Sequence, residues 1–109
     1  MKLSEAMLKG IEGTPQAKLG WIEKSTGGRC AIASAMYGAG VVKGPWEENH
    51  FCQPTFVDRG VKPMHELNCP IATMFMLFPE VEELWATICT KNMTETREQI
   101  AEWLKEKGL

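Results

Sequence analysis

The chain has little of what most binding chemistries require. It carries no excess of basic charge: twelve Lys and Arg face fourteen Asp and Glu, a formal net charge of -2. That leaves no electrostatic footprint for a phosphate backbone, so a general nucleic-acid binder is not expected. No apolar run approaches the ~20 residues that cross a bilayer. The opening MKLSEAMLKG is amphipathic and does not read as a signal peptide, so the expected location is the cytoplasm, with no membrane partner. No internal repeat or low-complexity segment is present. The Gly27-Gly28 pair lacks the G-K-[ST] ending of a phosphate loop. In a reducing compartment the four cysteines, Cys30, Cys52, Cys69 and Cys89, are expected as thiols or ligands and not as disulfides.

What is present suffices for a core. The 109 residues, 44% of them hydrophobic, fit a single domain over 1–109 that buries about two thirds of its unfolded surface without needing a staple. The organising stretch is Gly27 to Gly40, GGRCAIASAMYGAG. Ser25 or Thr26 can cap a helix beginning near Arg29. Gly40 suits the left-handed residue that closes it, with Val41 then reaching back to Met36 in a Schellman end. Ala31, Ala33, Ser34, Ala35, Gly38 and Ala39 are short enough for neighbouring helices to pack on the backbone itself, which describes a central buried helix.

Around it the spacing predicts further helices. Ser4 reads as an N-cap with Leu3 and Leu8 as a hydrophobic staple, giving a helix over about Glu5 to Glu12 that Gly13, Thr14 and Pro15 end. Residues 16–24 read as extended or irregular, with Trp21 covering a core edge. Lys43 to Pro63 holds three prolines among Trp46, His50, Phe51 and Phe56, which suggests a packed irregular loop with a small hairpin over Thr55 to Val61. Pro70 suits a first helical position. Ile71, Met74, Phe75 and Phe78, and then Val81, Leu84, Trp85 and Ile88, fall at helical spacing. A buried strand over 71–78 is the rival. Pro79 predicts a kink or a fresh helix, Lys91 to Met93 a turn, and Thr94 or Thr96 a cap, Thr96 with Gln99 at capping-box spacing, for a last helix that Gly108 stops. Its inward stripe is Ile100, Trp103 and Leu104. The expected fold is mainly α: a compact bundle of four to five short helices around the small-residue helix, with a long loop.

The motifs LSEA in the first helix, CAIASA at Cys30 to Ala35, the Cys69-Pro70 pair and TREQIAEW at Thr96 to Trp103 together resemble those of a group of small bacterial and phage proteins. The resemblance touches about a third of the chain and implies no established activity. Where that group tends to place a second cysteine three residues after the first, this chain has Ala72, which departs from a C-P-x-C metal clasp.

Three constellations could carry chemistry. His50, Cys52, His65 and Cys69 supply zinc-type ligands in two pairs flanking the loop, though H-x-C followed by H-x3-C lacks the usual knuckle spacing, and buried small thiols are the plain alternative. Cys30 opens the central helix beside Arg29, where dipole and cation would both depress a thiol pKa. With His50 or His65 as base and Gln16 or Asn68 as polarising amide, that superficially resembles a papain-like nucleophile. A buried cysteine is the ordinary reading. TREQIAEWL reads like the first helix of a helix-turn-helix, but with no recognition helix among these residues an accessory helix packed on the core is expected instead. The seven methionines and four tryptophans favour instead a small non-enzymatic interaction or regulatory module, acting as a homodimer or on a protein partner. On that reading Met64, Met74, Met76 and Met93 gather around the third helical segment, which looks apolar all round.

Overall fold

The computed structural model describes residues 1–18, 22–23, 26–42 and 70–109. Within them the chain is mainly helical, in the order α1 (Leu3–Ile11), β1 (Ile22–Glu23), β2 (Gly28–Arg29), α2 (Ala31–Gly38), α3 (Pro70–Leu77), α4 (Glu80–Thr94) and α5 (Arg97–Glu106). The expected hairpin at Thr55 to Val61 and the core-edge role of Trp21 lie outside the described residues. A minimal hairpin occurs elsewhere: β1 and β2 pair antiparallel, Ile22 with Arg29 and Glu23 with Gly28, around Gly27 at φ 72°.

α1 and α2 form the most extensive helix pair, and α1 also packs on α5. Their approach is set by glycine. A Cβ at Gly10 would lie 1.6 Å from the Ser34 carbonyl oxygen, and one at Gly38 would lie 1.7 Å from that of Ala6. The two backbones therefore touch directly, which no side chain larger than hydrogen permits. Ala6 and Gly10 on α1, and Ser34 and Gly38 on α2, are each four apart and so share a face. Ala31, Ala33 and Ala35 are likewise buried, as a central helix requires.

The two ends of α2 differ in how they meet expectation. At its C-terminus Gly40, at φ 75°, gives its N–H to Tyr37 O at 3.1 Å, and the Val41 N–H reaches Met36 O at 3.0 Å. Those two bonds are the Schellman end that the sequence predicts. At the N-terminus the helix starts two residues later than Arg29, because Gly28 and Arg29 belong to β2. The cap is Cys30, whose Sγ accepts from Ala33 N–H at 3.3 Å, while Thr26 accepts from Gly28 N–H within the turn.

α1 begins at Leu3, not at Glu5. Lys2 is its N-cap residue, and its backbone N–H is satisfied by the Glu5 carboxylate at 2.8 Å. Ser4 is drawn into the fold instead: its N–H and its hydroxyl both donate to the carbonyl of Leu109, at 3.1 and 3.2 Å. No Leu3–Leu8 staple exists, since Leu3 is buried and Leu8 is exposed; the inward stripe is Leu3, Ala6, Met7 and Gly10.

In the second half Pro70–Leu77 is helix and not strand. Pro79 starts a new helix after a two-residue joint, and an edge-to-face contact of Phe75 with Trp85, ring centroids 5.8 Å apart, bridges the pair. α4 presents Val81, Trp85, Ile88 and Asn92 inward. It runs on through the expected turn at Lys91 to Met93 and ends at Thr94, where Glu95 turns extended with its N–H on Lys91 O. Thr96 and Gln99 close the reciprocal capping box on α5 as its spacing predicts, at 3.1 and 2.8 Å. Ile100 and Leu104 are buried, and Trp103 is half-buried between the ammonium groups of Lys91 and Lys107, 4.7 and 5.0 Å from its ring centroid. Gly108, at φ 82°, completes a second Schellman end through Leu109 N–H on Leu104 O.

Adding a single methyl separates close approach from backbone strain. Gly10→Ala or Gly38→Ala must push α1 off α2 and is expected to cost about 3 kcal/mol or more. Gly13→Ala meets nothing within 4 Å but sits at φ 71°, so only the left-handed penalty of roughly 1–2 kcal/mol applies. Urea unfolding should show both helix-contact variants to be less stable than Gly13→Ala.

Candidate functional site

Two of the residues with expected chemistry, Cys30 and Gln16, converge on one place, where the turn after α1, strand β2, the start of α2 and the α4–α5 junction meet. Its centre is Asn92, on the inward stripe of α4 and buried. Its amide nitrogen donates to Ala17 O at 2.8 Å, and its side-chain oxygen accepts from Ala31 N–H and from Gln16 Nε2, both at 3.0 Å. Gln16 is fully engaged in turn. Its Nε2 also faces the carbonyls of Asn92 and Glu95 at 3.1 and 2.8 Å, and its Oε1 takes the Arg97 N–H at 3.2 Å.

Arg97 is the second member, and only 4% of its surface is exposed. It is the first residue of α5, so Arg97, Ile100, Ala101 and Leu104 fall at i, i+3, i+4 and i+7 on the buried face. Its guanidinium reaches no carboxylate among the described residues. Nη1 donates to Thr14 Oγ1, Arg29 O and Ser34 Oγ at 3.1, 3.3 and 3.2 Å, and Nη2 donates to the Thr14 carbonyl. Nε has no hydrogen-bond partner among the described residues. Burial lowers the Arg97 pKa, with Glu98 opposing it. Arg29, by contrast, donates to Gly10 O at 3.0 Å and lays its guanidinium 3.6 Å from the centroid of the Tyr37 ring, a cation–π contact at the half-buried edge of the hub.

Cys30 lies beside this hub, at the start of α2. Its Sγ is occupied as a helix cap. The amides of α2's first turn and the Arg97 cation do pull its pKa down, but desolvation outweighs them and pushes the thiol up to about 11. At neutral pH the group is a thiol, and thiols are poor nucleophiles. Nor is the Gln16 amide free to polarise a carbonyl. Both described members of the papain-like arrangement are thus engaged in hydrogen bonds of the fold. His50, Cys52, His65, Cys69 and Asn68 lie outside the described residues, so neither the zinc reading nor the histidine base has a geometry. Cys89 is a free thiol on the exposed side of α4.

The sequence carries a signal for the hub in its registers. Asn92 continues Val81, Trp85 and Ile88 at inward spacing, and Arg97 leads the Ile100–Leu104 stripe. Each is a polar residue in an apolar register, and residue type alone hides it.

A second locus has the opposite character. Met76 is 79% exposed and Leu77 54% exposed, side by side at the end of α3, followed by exposed Pro79 and by Glu80 and Glu83 at the start of α4. The methionines do not gather there: Met74 is buried in the core, Met93 is exposed near the far end of α4, and Met64 is outside the described residues. Met93 lies about 20 Å along α4 from Glu80 at 1.5 Å per residue.

Comparison with protein-family models, with curated proteins and with solved structures finds no match. The likeness to the bacterial and phage group thus rests on its four motifs.

The hub is open to direct test. Asn92→Leu strands the buried Ala31 N–H and Ala17 carbonyl and should cost about 3 kcal/mol or more at 1–3 kcal/mol per orphaned group; Asn92→Asp keeps the acceptor for Ala31 and should cost less, as denaturant midpoints would show. For Cys30 the folded thiol titrates near 11 against 9.0 for the ordinary group. Between those pH values the unfolded chain releases a proton that the folded chain retains, so stability falls as pH rises. Cys30→Ser should lessen that decline in denaturant titrations, leaving the part due to Cys89, whose thiol burial also pushes up. In the native protein at neutral pH, Cys30 should alkylate about a hundredfold more slowly than in the unfolded chain, because its thiolate fraction is lower by about that factor.

Proposed function

We propose that this chain is a small non-enzymatic interaction module that engages a protein partner through the tip where α3 meets α4. The observation that carries the reading is the exposure of Met76 and Leu77, 79% and 54%, in a helix without a charged residue. Most large apolar side chains of the described residues are used internally: Leu3, Met7, Ile32, Met36, Met74, Phe78, Val81, Ile88, Ile100 and Leu104 are buried. A chain that buries Met7, Met36 and Met74 completely has no packing reason to leave two adjacent apolar side chains in water. Exposed Leu or Met singly needs no explanation. Paired at a helix end, beside an exposed proline, they form a surface that another protein can cover with a gain of about 25 cal/mol for each Å² of apolar area removed from water.

The hub supports the same reading from the other side. Its polar groups satisfy backbone atoms of several separate segments, so among the described residues the buried polar chemistry serves the shape of the molecule. An interaction module requires that shape to be fixed while its contact residues stay outside.

The test is a photo-crosslinking residue placed at 76, with Glu102 on the exposed side of α5 as control position, in the protein's native cells. Distinct protein adducts at 76 and none at 102 are expected. Equal or absent adducts at the two positions would overturn the reading.

A further inference from the structure

The charges around the tip narrow the chemistry of the partner, an inference that rests on the interaction reading of Met76 and Leu77. From Pro70 to Thr90 the chain contains no Lys, Arg or His, and its charged residues there are Glu80, Glu82 and Glu83. The nearest cation along the helix is Lys91, about 16 Å beyond Glu80 at 1.5 Å per residue, and it is engaged by Glu95 at 3.2 Å. Glu80 and Glu83 have no ion-pair partner among the described residues. Being three apart, they project from one side of α4. Three peptide units join Leu77 to Glu80, which limits their Cα separation to about 11 Å. Apolar and acidic groups therefore share one small surface. Carboxylates at a helix N-terminus are explained by the helix dipole. That explanation does not extend to the exposed Met76 and Leu77 beside them.

Two kinds of occupant from another molecule would cover such a surface. A second copy meeting it about a two-fold axis brings the same patch to itself, so the carboxylates of one protomer would face those of the other. Like charges brought together at an interface are penalised. A segment with an apolar stripe and basic flanks meets no such conflict. Methionine, unbranched and polarisable, adapts to varied apolar side chains, and a helix lying on an apolar surface by its i, i+3, i+4 residues is a common mode of peptide recognition. Beyond Glu83 the outward side of α4 continues with Ala86, Thr87 and Thr90, all exposed, small and uncharged, which leaves room for a helix to extend.

The geometry points to a basic amphipathic segment of a protein partner as the occupant of the α3–α4 tip. Its apolar residues cover Met76 and Leu77, and its Lys or Arg side chains reach Glu80 and Glu83.

The experiment uses the full chain and a fluorescent synthetic amphipathic helix built of Leu and Lys, followed by anisotropy. A Leu–Glu helix of the same pattern and a scrambled Leu–Lys peptide of the same composition serve as comparisons. The patterned Leu–Lys helix should bind at least tenfold more tightly than either. Met76→Ser with Leu77→Ser, and separately Glu80→Gln with Glu83→Gln, should each weaken it by about tenfold, which is 1.4 kcal/mol, with added salt eroding the second effect. Met76, Leu77 and Glu83 are exposed and Glu80 is half-buried, and an unchanged melting temperature would confirm an intact fold. Equal binding of patterned and scrambled peptides, or affinity unaffected by both double variants, would overturn the proposal. Sedimentation supplies the distinguishing measurement. A dimer that Met76→Ser with Leu77→Ser dissolves would make the occupant a second copy, overturning the basic partner while leaving the interaction reading intact. Crosslinks at 76 to a protein, together with indifference to the Leu–Lys helix, would have the same effect. Failure of both the crosslinking and the peptide would remove both readings.

Discussion

The contact between α1 and α2 through Gly10 and Gly38 constrains everything else in the described structure. With Cβ positions falling 1.6 and 1.7 Å from carbonyl oxygens, the helices are closer than any side chain allows. The axis separation of a helix pair follows the size of the residues between them, and here two glycines, an alanine and a serine set it. Backbone carbonyls on both helices are thereby drawn into the interior, and interior carbonyls must be paired. The Gly10 carbonyl is met by Arg29. The turn that follows α1 carries Thr14 and Gln16 directly toward β2 and α5. The polar hub is thus a consequence of the close packing and not an independent feature.

That dependence also explains why a buried arginine needs no carboxylate. A guanidinium has five N–H donors in a fixed fork, and the converging turn, strand and helix supply Thr14 O, Thr14 Oγ1, Arg29 O and Ser34 Oγ to Nη1 and Nη2. The groups it meets are neutral dipoles, so the charge is solvated by oriented polar groups in place of water. A lysine could not do this from one position, since its ammonium is a single point with three donors. The same crowding desolvates Cys30. The electrostatic attractions of Arg97 and of α2's first turn act on its sulfur, yet burial dominates. Proximity to a cation and a helix N-terminus therefore does not lower a cysteine's pKa where desolvation outweighs both.

How far the sequence discloses this depends on the range of each interaction. Local signals suffice for the Gly40 and Gly108 ends, the Thr96–Gln99 box and the helix break at Pro79, which are settled by residues within a few positions of one another. Periodicity suffices to favour helix over strand at Pro70–Leu77 and to mark the small-residue character of α2. Sequence and structure part where a distant partner outweighs a local preference. Ser4 has the side chain of an N-cap but is committed to Leu109, 105 positions away. Thr26 has the oxygen of a cap but turns to Gly28, because Gly28 and Arg29 pair with β1 and delay α2 until Cys30. Gly10 carries no local message of its own, since an isolated glycine in a helix reads as a mild defect until the facing helix is known. Asn92 and Arg97 are legible in register, but residue type places them outside. Of the chemical constellations, the arrangement around Cys30 has a described geometry, while the His50, Cys52, His65 and Cys69 set falls outside the described residues.

The contrast between hub and tip bears on where function can reside. A polar group that satisfies buried backbone atoms cannot also serve a ligand without exposing those atoms, and each exposure costs about 1–3 kcal/mol. Against a net stability of about 5–15 kcal/mol for a small domain, the hub can lose at most a few such bonds before the fold fails. Met76, Leu77, Glu80 and Glu83 carry no comparable obligation. Their neighbours Met74, Phe78 and Val81 hold the α3–α4 joint in the core, so the exposed residues are fixed in position while remaining free in contact. A partner that covers them gains buried apolar area and ion pairs without disturbing a single bond of the interior. The division follows the close α1–α2 packing, which gathers Thr14, Gln16, Arg29 and Arg97 around buried backbone atoms, whereas Met76 and Leu77 stay exposed at the end of α3.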